Sequence, residues 1–360
     1  MKREVVLSVA QLYRGQPGGI ATYLRGLVGG LALLNDAELD LVGLAPRGPI
    51  PDEVSQLAVR LAFAPLPNVL LTRTWSKWPL GVPRNASVVH APSLAGPFSG
   101  GRTTAVHSVA LHDMLWRDEP SSSTSTGIRF HERRLELVRQ REDVRVLTTS
   151  PGLKERLVAE GFTPDRVHQV RLGANDDRGE RASVEHVRAL LAKHNVVGPF
   201  TFYAGTIEPR KNLPRLVAAH RLARQSHPEL GQLVLAGPSG WGNEDTGDAV
   251  RLGLVEREVL RGLLRDATVV AYVPLAEGWG LPPIEALHAG SRVVASATTP
   301  SVQANKEVEL VNPLSVESIA NGLELALDRK VDDAARSRRS DSVAEFTWRH
   351  SALDHVAAWQ

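Results

Sequence analysis

The sequence predicts an α/β protein built of two Rossmann-like halves, and three observations carry that reading. Short β-branched runs alternate with helical patterns along nearly the whole chain. The alternation pauses at one polar stretch, Gly173–Ala182, and then restarts. Each half also contains a strand that runs through a glycine turn into an amphipathic helix. Such alternation gives a parallel sheet with helices on both faces. With 360 residues there is chain enough for two cores. We expect a first domain over 1–175 and a second over 176–345, with the helical pattern of 346–360 crossing back to the first.

In the first half, strands are expected at Glu4–Val9, Asp40–Leu44, Ser87–His90, Thr103–Val109, Val144–Thr148 and Val167–Leu172. The loop Tyr13–Gly19 precedes a helix with Ile20, Tyr23, Leu24, Leu27, Leu31 and Leu34 on one face, an i, i+3, i+4, i+7 pattern. Gly18 and Gly19 let the backbone approach a phosphate at that helix start, although a plain tight turn explains them equally well. Trp75 and Trp78 sit in the Pro-rich stretch Val69–Pro83 and fit helix packing better than an acceptor site. Ser121–Thr126 reads as a polar loop. Ser150 is an N-cap and Pro151 opens a helix that ends at Gly161.

In the second half, strands are expected at Phe200–Ala204, Leu233–Ala236, Ala249–Leu252, Thr268–Val273, Arg292–Ala295 and near Val308. Helices are expected from Asn212, over Glu256–Arg265, around Glu285 and from Ser315. Thr268–Val273 is β-branched without alternation, as in a strand buried on both faces. It leads into Glu277-Gly-Trp-Gly-Leu-Pro-Pro-Ile-Glu285. Pro282 and Pro283 suit a first helical turn, Ile284 and Leu287 point inward, and Gly290 stops the helix. Taken singly, Glu277 is a solvated loop acid and Glu285 a first-turn acid that complements the helix dipole.

Composition removes several classes. Without cysteine there is no disulfide, thiolate metal site or thiol nucleophile. No apolar run reaches about 18 residues and the N-terminus lacks a signal-peptide core, so the expected protein is cytoplasmic, or peripheral at a membrane's inner face. The formal net charge of +2 is uneven: residues 1–175 hold 21 Lys+Arg against 16 Asp+Glu, and residues 176–360 hold 21 against 24. A mildly basic first half is compatible with an anionic membrane or an acidic acceptor. No basic stripe interleaved with aromatics points to nucleic acid. The G-x-G-x-x-G fingerprint is missing, which speaks against a nicotinamide oxidoreductase.

Chemistry concentrates in two loops of the second half. Arg210 and Lys211 follow a buried strand and precede a helix with Asn212 as its expected N-cap. Such a pair neutralises a diphosphate, Arg by bidentate contact and Lys as a point charge. Strand carboxyl ends in one sheet share one crevice, so this loop can meet the Glu277 turn. Cations for phosphates beside acids for hydroxyls describe a nucleotide sugar.

These motifs resemble a known family. Gly18-Gly19, His112-Asp113, Gly205-Thr-Ile-Glu-Pro-Arg-Lys-Asn212 and Glu277-x7-Glu285 look like those of retaining glycosyltransferases of family 4. The resemblance runs in order to the Asn312–Glu317 segment and implies the GT-B fold, two Rossmann-like domains facing across a cleft. It implies a nucleotide diphosphate sugar as donor and a glycan, lipid-linked saccharide or small molecule as acceptor. Carried over, Arg210 and Lys211 bind the diphosphate, Glu277 approaches sugar hydroxyls and Glu285 holds the ribose. Amides of Trp279, Gly280 and Leu281 face sugar and phosphate, the Gly18-Gly19 loop covers the diphosphate through the Gly19 amide, and His112 reaches the donor sugar. His90, His107 and His288 remain structural.

The similarity is nearest to bacterial mannosyl- and rhamnosyltransferases, so GDP-mannose leads as donor. No D-x-D is present, so neither a catalytic metal nor a cofactor is expected. Trp279 stands where the family usually has Phe, and Thr298–Lys306 replaces its Pro-Glu-x-x-Gly run, which bears on donor preference. Alternatives on the same scaffold are a non-catalytic partner subunit and a sugar-nucleotide epimerase or phosphorylase.

Overall fold

The computed structural model describes residues 2–14, 18–34, 38–98, 104–174 and 181–360. The chain forms two compact units, Met1–Gly173 with Phe346–Gln360, and Ala174–Glu345. Most of the expected connection Gly173–Ala182, residues 15–17 of the first glycine loop and Thr103 of an expected strand lie outside the described residues.

The first unit carries β1 (Arg3–Ser8), β2 (Leu39–Ala45), β3 (Arg60–Phe63), β4 (Val88–Ala91), β5 (Val106–Leu111), β6 (Val144–Thr148) and β7 (Val167–Gln169). They pair in parallel in the order β3-β2-β1-β4-β5-β6-β7. Val5, Val6 and Leu7 are fully buried, as residues of a central strand covered on both faces must be. Several elements depart from expectation, two of them outright. β3 is an unforeseen edge strand, and a helix over Ser125–Arg139 begins inside the expected Ser/Thr loop. Thr124 caps that helix by accepting from the Gly127 amide. Trp75 packs in the core with its indole N–H donating to the Leu80 carbonyl, whereas Trp78 is exposed.

The C-terminal helix, Trp348–Ala358, belongs to this unit and packs on the Gly18–Leu33 helix. Gly26 and Gly30 make room for it. A Cβ on Gly26 would stand 2.0 Å from the Trp348 ring, and one on Gly30 would stand 2.0 Å from the Trp348 carbonyl oxygen. Arg171 pairs with Asp354 at 2.6 Å, and Arg3 donates to the Trp359 carbonyl at 2.6 Å.

The second unit carries β8 (Phe200–Ala204), β9 (Gln232–Ala236), β10 (Val250–Gly253), β11 (Val269–Tyr272), β12 (Val293–Ser296) and β13 (Val308–Val311). Its parallel order is β10-β9-β8-β11-β12-β13. Strand order therefore reverses between β8 and β11, and in the first unit between β1 and β4. Loops diverge at such points, leaving a crevice at the strand carboxyl ends. A cavity of about 790 Å³ lies instead at the amino ends of β8 and β11, beside Phe200 and Thr268.

Candidate active site

β8 and β11 are hydrogen-bonded neighbours, so the loops that leave their carboxyl ends lie side by side. Pro209–Lys211 forms a single 3₁₀ turn after β8. Asn212 follows with a left-handed backbone, φ 61°, and makes no side-chain cap. Asn212 holds the expected N-cap position but its side chain serves elsewhere: its amide donates to the Val273 and Pro313 carbonyls at 2.9 and 2.8 Å. Leu275 donates its N–H to the Arg210 carbonyl at 2.9 Å. The asparagine stitches the loop after β8 to the end of β11, a use that outweighs capping because those buried carbonyls need donors.

This stitching brings the two sequence motifs into contact. Glu277 Oε2 accepts from Lys211 Nζ at 2.5 Å, from Arg210 Nη1 at 3.0 Å and from the Tyr272 hydroxyl. Lys211 Nζ also donates to the Tyr272 hydroxyl at 2.7 Å, and Glu208 pairs with Arg210 at 2.7 Å. Sequence reasoning missed Tyr272, placing it only in a buried strand. Its signal was a phenol at the end of an aliphatic run, since a buried Tyr hydroxyl usually finds a partner.

Burial alone would raise the Glu277 carboxyl. The charges of Lys211 and Arg210, with hydrogen bonds from Lys211 and Tyr272, outweigh it and hold the group at about 2. Burial lowers Lys211 against the opposing pull of Glu277, and for Arg210 the attraction of Glu277 and Glu208 overcomes burial and raises it further. A carboxyl depressed in the folded state stabilises fully above its unfolded value near 4.5, and that stability fades as pH falls towards about 2. The stability gap between wild type and Glu277→Gln should therefore shrink between pH 4.5 and pH 2, as read by denaturant titration across that range. A constant gap would contradict the assigned ionisation.

The helix after the turn spans Leu281–His288, with Gly280 before it at φ 93°. A Cβ on Gly280 would stand 2.5 Å from Thr299 Cγ2, so glycine is required both by conformation and by space. Ser301 accounts for that closeness: its N–H donates to the Trp279 carbonyl at 3.0 Å and its hydroxyl to the Gly280 carbonyl at 2.6 Å. The Thr298–Lys306 segment thus clamps the Glu277 turn. Pro282 and Pro283 carry no N–H, so amides at this helix start come from Leu281 and the turn before it. Glu285 is half-buried and lies beyond the first turn, which holds no acid; the helix starts at Leu281, and this corrects the first-turn placement.

In the first unit, Gly18 (φ 62°) and Gly19 open their helix exposed, with nothing within 4 Å of a Cβ at either. His112 follows β5 directly. Its Nε2 lies 3.0 Å from the Pro92 carbonyl, so that nitrogen donates and Nδ1 is left as an acceptor. Burial lowers its pKa, opposed by the Pro92 bond and by Asp113. The Asp113 carboxylate accepts from the Leu115 amide at 3.1 Å. His90, His107 and His288 are buried. Arg210, Lys211 and Glu277 therefore meet in one cluster followed by the Trp279–Leu281 turn and Glu285, all in the second unit, while Gly18, Gly19 and His112 belong to the first.

Two parallel α/β units with these sheet orders define the GT-B class of glycosyltransferase folds. Residues 192–341 match the family model described as Glycosyl transferases group 1, a segment that contains the Arg210–Lys211–Glu277 cluster and Glu285. The chain is 26% identical over 228 residues to O-antigen chain mannosyltransferase B of Escherichia coli, and that alignment spans 60% of each protein. Among solved structures, it is similar to sucrose-phosphate synthase from Thermosynechococcus elongatus with TM-score 0.73 and 19% identity, covering 99% of this chain and 98% of that one. Anabaena HepE in complex with UDP and glucose gives TM-score 0.70 and 15% identity, with the same coverages.

Proposed function

We propose that this protein is a metal-independent, retaining glycosyltransferase that moves a hexosyl group from a nucleotide diphosphate sugar to an acceptor hydroxyl. Mannose from GDP-mannose is the favoured donor group, and the acceptor is a glycan, a lipid-linked saccharide or a small molecule. The observation that carries the reading is the largely buried Arg210–Lys211–Glu277 cluster at the reversal point of the second sheet, inside the segment matched to glycosyl transferases group 1. The relative from Escherichia coli is named a mannosyltransferase, which supports the sugar. We propose that it works in the cytoplasm or at a membrane's inner face. Among the described residues, no helix is long and apolar enough to cross a membrane.

In this reading the diphosphate takes over Arg210 and Lys211, and Glu277, released from them, accepts from sugar hydroxyls. Glu285 holds the ribose. Amides of Trp279, Gly280 and Leu281 meet sugar and phosphate, the Gly18-Gly19 loop covers the diphosphate, and His112 receives a donor hydroxyl. Charge builds on the leaving phosphate, where preplaced cations stabilise it more than they stabilise the ground state. No side chain stands out as a covalent nucleophile on the sugar, and Glu277 is assigned to its hydroxyls. The acceptor hydroxyl attacks from the face the diphosphate leaves and gives its proton to that phosphate.

The test is a thermal-shift screen of nucleoside diphosphates and their sugars, followed by product analysis. A ligand at 100 times its Kd stabilises by about 2.7 kcal/mol. GDP and GDP-mannose should shift the melt, and transfer should yield the donor's anomeric configuration. If no nucleoside diphosphate binds, the reading falls; binding without turnover would favour the non-catalytic partner.

A further inference from the structure

We infer that the C-terminal helix holds His112 in position through a one-way hydrogen-bond relay passing through Tyr23, which makes Tyr23, His90 and His355 positioning residues. This rests on the role proposed above for His112.

The direction of the relay follows from its two ends. The Trp359 indole can only donate, and it lies 2.9 Å from Ser108 Oγ. The Ser351 carbonyl can only accept, and it lies 2.6 Å from His355 Nδ1, which therefore carries the proton. His355 Nε2 is then bare and must accept from the Tyr23 hydroxyl, 2.7 Å away. With its one hydrogen committed, the Tyr23 oxygen must accept from His90 Nε2–H, also at 2.7 Å. His90 Nδ1 is left bare and accepts from the Ser108 hydroxyl at 2.9 Å. Each donor along the path meets one acceptor, and with both imidazoles neutral no other assignment satisfies all of them.

The relay is buried throughout, from Tyr23 and His90 to Ser108 and His355. An unmatched polar group there would be costly, so a phenylalanine at 23 would be simpler if volume were the only need. What the hydroxyl adds is a fixed ring. It is gripped between two imidazoles, and the edge of the Tyr23–His112 contact, with centroids 4.7 Å apart, bears on the histidine. His112 is also held by the Pro92 carbonyl. The two contacts together aim Nδ1 as an acceptor for a substrate hydroxyl. An extra proton on His355 would reverse the sense of the relay rather than extend it, and burial keeps both histidines neutral, with His355 lowered to about 4.

Two measurements on the full chain decide the matter. The first is ¹⁵N NMR of the histidine rings at pH 7, which needs no turnover. His90 should be the Nε2–H tautomer, His355 the Nδ1–H tautomer and His112 the Nε2–H tautomer, and Tyr23→Phe should shift the His112 ring signals. Other tautomers, or unchanged His112 signals in Tyr23→Phe, overturn the inference. The second is a kinetic cycle of Tyr23→Phe and His112→Ala. Tyr23→Phe should lower kcat about tenfold, roughly the worth of one buried hydrogen bond, with donor KM little changed. In the His112→Ala background the same change should have almost no further effect. An equal loss in both backgrounds would mean a merely structural role and would sink the inference. Normal turnover of His112→Ala would instead sink the proposed role of His112.

Discussion

Lys211→Ala is expected to lower turnover by two to three orders of magnitude and to destabilise the second unit as well. The kinetic loss follows from removing a preplaced cation at the leaving diphosphate, where a single donor is typically worth about 10²–10³ in rate. The stability loss follows from the pairing. Lys211 is buried and Glu277 largely so, and deleting one member strands the other's charge, at a typical cost of about 3–5 kcal/mol for a fully buried pair. Arg210 stays against Glu277, which places Lys211→Ala at the low end. The direct contact between Lys211 and Glu277 is what adds a stability loss to the kinetic one. The double variant Lys211→Met, Glu277→Gln removes both charges and separates the effects. It should recover most of the stability by denaturant titration and none of the turnover. Near-normal rates for Lys211→Ala, measured on folded protein, would defeat the catalytic assignment.

The alternation that exposed the fold was legible because parallel strands buried on both faces leave unbroken apolar runs. Val144–Thr148 and Phe200–Ala204 fall where the sequence placed them. What escaped had a physical reason in each case. β3 is a short, partly exposed edge strand with little apolar pattern. The Ser125–Arg139 helix buries Arg134 beside Leu135 and Val138, so its inner face does not look apolar. β5 begins at Val106 and runs to Leu111, later than expected, because Thr104 and Ala105 extend the apparent β pattern without joining the ladder.

At the site, Arg210, Lys211 and Glu277 were legible because each sits in a loop at a strand end that the alternation locates, and Glu285 because its helix follows that loop. That Glu277 pairs with both cations, and that Tyr272 joins them, depends on β8 and β11 being neighbours. The histidine relay was out of reach for the same reason. Tyr23 and His355 are 332 positions apart and meet only after the C-terminal helix has docked.

That docking gives the second large effect, a pair of glycine substitutions one residue apart with opposite signs. Gly30→Ala should destabilise the first unit, while Gly29→Ala should leave it unharmed or stabilise it. The Cβ of the first would stand 2.0 Å from the Trp348 carbonyl oxygen, and since the obstacle is backbone, one helix must move. Overpacking of this kind typically costs about 1–3 kcal/mol. Gly29 is exposed with nothing within 4 Å of its Cβ, so alanine there brings only helix propensity, up to about 1 kcal/mol. Hydrogen exchange over Trp348–Ala358 is the direct measurement, because a chain of two units need not melt in a single step. Protection of that helix should fall in Gly30→Ala and persist in Gly29→Ala. Equal exchange in both would mean that the close approach at Gly30 does not hold the helix. The same displacement pulls Ser351 and His355 away from Tyr23, so Gly30→Ala should also reproduce the altered His112 ring signals expected of Tyr23→Phe, with the hydroxyl still present.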